Sequence, residues 1–93
     1  MAAGQDITRA SRDVLADVRS MFERGENGLQ WEDIAARLAG RLAEHYADAT
    51  AESISAQVRA SGVRSVDVKR AGRVLKGAKA DDVDAAIARR NAA

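Results

Sequence analysis

Between Gly62 and Gly77 the spacing of apolar residues switches from a helical period to a strand period, and it switches back afterwards. That double switch confines the chain to helices combined with one β-hairpin. Before Gly62, apolar residues recur at helical intervals. Ile7, Val14, Leu15, Val18, Met21 and Phe22 predict a helix over residues 7–24, capped by Asp6 or Thr8. Gly25-Glu26-Asn27-Gly28 breaks it, and Leu29-Gln30 is extended at most briefly. Ile34, Ala35, Leu38 and Leu42 predict a second helix over 31–44, with Glu32 and Asp33 placed to suit its positive N-terminal end. His45 to Ala49 reads as a turn. Thr50 then caps a third helix over 50–61, in which Ala51, Ile54 and Val58 face inward and after which Gly62 acts as the stop.

Alternation in Val63–Val68 and again in Arg73–Lys76, around the turn Lys69-Arg70-Ala71-Gly72, predicts a hairpin over 63–76 that Gly77 ends. A last helix over 80–90 buries Val83, Ala86 and Ile87, with aspartates at its start and Arg89 and Arg90 at its end. The fold class is therefore mainly α with a small β-hairpin (α+β), in the order of a winged helix-turn-helix. A chain of 93 residues fits one such domain.

Composition removes several classes of activity. With no cysteine, disulfides and thiolate chemistry are excluded, and His45 alone cannot make a histidine metal cluster. No phosphate loop or nucleophile elbow occurs, and Asp81, Asp82 and Asp84 read as a helix start and not as a metal loop. The expectation is a non-enzymatic domain with no metal and no cofactor. No apolar run reaches membrane-spanning length, and Met1-Ala-Ala-Gly4 opens without the pattern of a signal peptide, so the expected location is cytoplasmic, without membrane contact. No long terminal helix offers itself for dimerisation, and the isolated domain is expected to be monomeric.

Net charge is only +1 but is distributed unevenly: residues 1–58 carry −4, residues 59–79 carry +6 and the last fourteen −1. A basic segment on a near-neutral domain is the footprint expected of a polyanion binder, with a solvated charged face as the alternative. In the third helix the outward side presents Ser53, Ala56, Gln57 and Ala60, flanked by Glu52 and Arg59. Such small side chains let a helix approach base edges in a major groove; Gln57 can pair with adenine, Ser53 can donate or accept, and Arg59 can reach guanine or phosphate. The alternative is a good helix former left in water. On the hairpin, Lys69, Arg70 and Arg73 surround the tip, with Arg64 and Lys76 on the strands beside them. These can grip phosphates, or they can protect an exposed sheet edge from aggregation.

The segments Val14-Leu-Ala-Asp-Val-Arg-Ser-Met-Phe22, Gly28-Leu-Gln-Trp-Glu-Asp-Ile-Ala-Ala-Arg-Leu38, Thr50-Ala-Glu-Ser-Ile-Ser-Ala-Gln-Val58, Gly62-Val-Arg-Ser-Val-Asp-Val-Lys69 and Leu75-Lys-Gly-Ala-Lys-Ala-Asp-Asp-Val83 carry a likeness that runs from about residue 12 to residue 90. In these the chain resembles the C-terminal winged-helix domain of actinobacterial FtsK/SpoIIIE-type DNA translocases, in the form found in TraB-like conjugative-plasmid translocases. The second half is also similar to a domain that ends some phage and plasmid primase-helicases, which usually carry a tyrosine where this chain has Ala78. The translocase resemblance implies a motor domain N-terminal to this segment in the parent protein. It implies that the third helix recognises short repeats in double-stranded DNA through Ser53, Gln57 and Arg59, with the basic wing in support, and so loads or orients the motor.

Overall fold

The computed structural model describes residues 12–92. Its elements are α1 (Val14–Met21), β1 (Gly28–Gln30), α2 (Trp31–Arg41), the one-turn α3 (Ala43–Tyr46), α4 (Ala51–Ala60), β2 (Val66–Arg70), β3 (Arg73–Lys79) and α5 (Ala80–Ala92). The strands form one antiparallel sheet in the order β1-β3-β2. Helices followed by a protruding β2–β3 hairpin, with β1 pairing on its far side, make this α+β chain a winged helix-turn-helix.

Several boundaries depart from expectation for local reasons. The expected cap residues Asp6 and Thr8 and the apolar Ile7 lie outside the described residues. Within them, Arg12 and Asp13 interrupt the predicted helix 7–24: Asp13 is the N-cap, and its carboxylate accepts from Ala16 N–H at 3.1 Å. The helix stops at Met21, not Arg24, because Phe22 adopts extended backbone (φ −73°, ψ 129°) and turns its ring into the core. Helix α2 ends at Arg41, and Leu42 breaks it (φ −125°, ψ 48°). His45 and Tyr46, expected in a turn, belong to α3. The cause is Tyr46, which is buried and donates its hydroxyl to Asp17 Oδ2 at 2.6 Å, so this turn of chain is held against α1. Burial, and then the bond to the Asp17 carboxylate, push the Tyr46 hydroxyl up to about 12.

Strand β2 starts at Val66, leaving Val63 buried in the core but outside the ladder. The turn is shorter than expected: Lys69 and Arg70 stay in β2, and only Ala71 and Gly72 turn, both with positive φ (52° and 76°). Two left-handed residues give the type I′ geometry whose twist matches that of paired strands. Gly77 does not end the hairpin, since β3 runs on to Lys79. Its glycine is required for another reason: a Cβ there would lie 2.0 Å from the Leu29 carbonyl oxygen of β1. Helix α5 reaches Ala92, with Val83 and Ala86 buried and Ile87 half-buried.

The core is one cluster in which Leu15, Val18, Leu29, Ile34, Leu38, Ile54, Val58, Ala78 and Val83 take part. Strand alternation sorts the sheet into two faces. Leu29 and Ala78, directly paired, form the face under the helices, and Asp67, Lys69, Val74 and Lys76 continue that face outward along the wing. The other face carries Val66, Val68, Arg70, Arg73, Leu75 and Gly77. It is partly closed by the chain itself: Gln30, buried, donates from Nε2 to the Val68 and Arg73 carbonyls, both at 2.9 Å. Trp31 Nε1 donates to Ser65 Oγ at 2.9 Å and fixes the hairpin's base. No helix among the described residues is long and apolar enough to cross a membrane.

Candidate nucleic-acid interface

Helix α4 owes its start to a reciprocal cap. Thr50 Oγ1 accepts from Ser53 N–H at 3.1 Å, while Ser53 Oγ accepts from Thr50 N–H at 3.0 Å and lies 3.1 Å from the Thr50 carbonyl to which it donates. Ser53, expected to read bases, is therefore already engaged in holding the helix end. Gln57 is exposed, and its side chain lines a groove shared with Arg12, Val14 and Arg90, on the side of α4 toward α1 and α5. Arg59 folds back along its own helix, its Nε donating to Ser55 Oγ at 3.0 Å and to the Ser55 carbonyl at 3.3 Å. Between Gln57 and Arg59 the outermost positions are Ala56 and Ala60, both exposed, so the ridge of the helix is neutral and narrow.

On the wing the expected cations separate into two groups. Arg70 NH1 lies 3.0 Å from Glu26 Oε2 and its Nε 3.6 Å from Asp33 Oδ2; Arg73 NH2 lies 3.7 Å from Glu32 Oε1. Both arginines are thus turned toward acids in the loop before β1 and in the first turn of α2. Lys76 Nζ lies 2.9 Å from Asp67 Oδ1, its direct cross-strand partner. Arg64 is 78% exposed, with Asp82 at 3.9 Å. Lys69 is exposed, and no carboxylate lies within ion-pair distance of it among the described residues.

Glu26 is the hub of the arginine side. Arg37 donates to both its oxygens, at 2.5 and 2.9 Å, and also to the Met21 carbonyl at 2.9 Å. The Arg37 hydrogen bond above all, with the positive charges of Arg37 and Arg70, lowers the Glu26 carboxyl to about 2. One chain of charges therefore joins the end of α1, the body of α2 and the wing.

Three residues that matter here went unnoticed in the sequence. Glu26 sits in a glycine-flanked break where any polar residue fits, so nothing marked it. Gln30, a polar residue between Leu29 and Trp31, carried a faint signal as a buried amide needing partners. Val74, a strand residue by its alternation, is 58% exposed, the one large hydrophobic side chain so exposed among the described residues.

The helix-turn-helix and the wing together offer a neutral ridge flanked by Gln57 and Arg59, and a hairpin with lysines on one face and tethered arginines on the other. No protein-family model, curated protein sequence or solved structure matches this chain.

Proposed function

We propose that this domain binds double-stranded DNA, performs no chemistry of its own, and directs or loads a DNA translocase to whose motor it is joined in the parent protein, acting in the cytoplasm. The observation that carries the reading is the coincidence of the +6 stretch from residue 59 to residue 79 with the end of α4 and the whole wing of a winged helix. In this fold the helix after the turn enters the major groove while neighbouring elements contact the backbone. The small Ala56 and Ala60 side chains suit close approach, Gln57 and Arg59 supply donors beside them, and the wing supplies charge for phosphate. The translocase part of the reading rests on the family resemblance alone.

Selecting bound duplexes from a random pool, with affinity followed against salt, tests this. Enrichment of a short motif and a log–log salt slope of several units are expected. Failure to retain any duplex at low salt overturns it.

A second reading is that α4 docks on a motor or another protein without touching DNA. Its specific support is the neutral Ala56–Ala60 ridge together with the pairing of Arg70 and Arg73 to acids of the same chain. Retained partner binding with no duplex binding is the outcome that favours it.

A further inference from the structure

The two faces of the wing differ in what already occupies them. On one face Arg70 is held by Glu26 and Asp33, Arg73 stands beside Glu32, and Gln30 reaches across to two carbonyls. Val68 on this face is buried, with its Cγ1 3.4 Å from where a Cβ on Gly28 would stand. This face is packed against the start of α2. A phosphate placed at Arg73 would also stand close to the carboxylate of Glu32, and attraction to the one would be offset by repulsion from the other.

On the opposite face Lys69 and Val74 are directly paired across β2 and β3, and Lys76 lies two residues along from Val74. This is also the face of Ala78, which shares the core cluster with Ile54 and Val58 of α4. It therefore continues, outward along the wing, the sheet face that packs on the core. Asp67 belongs to the same face, but Lys76 lies 2.9 Å from its carboxylate and offsets its charge.

We propose that the wing meets the sugar–phosphate backbone of duplex DNA with the face carrying Lys69, Val74 and Lys76, while Arg70 and Arg73 act as positioning residues that stay on the acidic start of α2. This inference rests on the DNA-binding reading above. Lys69 supplies a point charge to a phosphate, which needs no fixed geometry. Val74, beside it, offers two methyl groups to the carbons of a deoxyribose. At that contact the 2′-hydroxyl and A-form shape of RNA are a poor match, so the same face prefers DNA.

The experiment titrates labelled duplex DNA, and duplex RNA of the same sequence, against the full chain over a series of salt concentrations. The variants are Lys69→Ala, Val74→Thr and Arg73→Ala, all at exposed positions, with thermal melting to confirm that each folds. Lys69→Ala lowers the salt slope by about one unit, the release of one phosphate contact. Val74→Thr weakens DNA binding about fourfold, the equivalent of one methyl group withdrawn from contact, leaves the salt slope unchanged and narrows the preference for DNA over RNA. Arg73→Ala stays within about twofold of the unaltered chain, with the same slope, as an exposed and already paired cation should. A slope loss in Arg73→Ala equal to that in Lys69→Ala overturns the inference, as does unchanged affinity in either Lys69→Ala or Val74→Thr. If the unaltered chain binds no duplex, the DNA-binding reading falls with it; if it binds and only the variants misbehave, the choice of face alone is wrong.

Discussion

Arg70 of the wing and Glu26 of the loop before β1 lie 3.0 Å apart, and both oxygens of the same carboxylate accept from Arg37 of α2. The wing is therefore part of the body of the domain and not an appended ribbon. Removing the carboxylate takes from Arg37 its bidentate partner and leaves Arg70 only the longer contact to Asp33, at 3.6 Å.

Glu26→Gln is accordingly expected to cost about 1–3 kcal/mol, as for a lost charged hydrogen-bond partner, read by chemical denaturation. The pH dependence follows from its lowered carboxyl. A carboxyl held below its ordinary value of 4.5, here at about 2, adds stability that is complete above 4.5 and is lost as pH falls through about 2. Melting temperature should drop across that window, and less steeply in Glu26→Gln. An unchanged slope in the variant would count against the hub.

Tyr46 gives the opposite sign. Its hydroxyl is raised from 10 to about 12, so its contribution is complete below pH 10 and lost as pH rises through about 12. Tyr46→Phe should remove that alkaline loss while lowering stability at neutral pH by about 1 kcal/mol, the usual net worth of a hydrogen bond.

Two glycines separate close approach from backbone conformation. Gly77→Ala drives a Cβ to 2.0 Å from the Leu29 carbonyl, and the loss should reach or exceed the upper end of the roughly 1–3 kcal/mol seen for overpacked cores. Gly72→Ala meets open space and is strained only by its φ of +76°, costing about 1–2 kcal/mol. Equal losses in the two melting curves would contradict the close approach of β1 to β3 at Gly77. Conversely, Ala71→Asn places the preferred residue at a φ of 52° and should raise the melting temperature.

Gln30→Leu strips the donor from two wing carbonyls. Stability should fall by about 1–3 kcal/mol, and amide exchange along β2 and β3 should accelerate more than in α5. Uniform acceleration throughout the chain would argue that Gln30 is not specific to the wing.

Ser53 and Gln57 should separate stability from recognition. Ser53→Ala loses half of the α4 cap and costs about 0.5–2 kcal/mol, with the selected DNA motif unchanged. Gln57→Ala should leave the melting curve in place and alter the motif.

The helical and alternating periods located every major element, because they arise from burial on one face, and each element here has such a face. Boundaries failed where one side chain outweighed the pattern: Asp13 as a cap, Phe22 turning inward, and Tyr46 drawing a turn into a helix. Gly77 looked like a stop because a sequence does not reveal that β1 pairs closely there. The candidate interface was legible as charge but not as geometry. Nothing local in Glu26, Glu32 or Asp33 announces that the fold brings them to Arg70 and Arg73, since those contacts span about forty positions.

The direct pairing of Lys69 with Val74, closed by a turn of two residues, imposes a rule of parity on the wing. Adding one residue to each strand would carry the tip outward by about 3.3 Å and turn over the faces on which all residues beyond the insertion lie, exchanging lysines for arginines. Adding two to each strand would restore the original facing with a longer arm. Relatives of this domain that differ in reach should therefore differ by even steps, while odd ones would have to exchange the charges of the two faces.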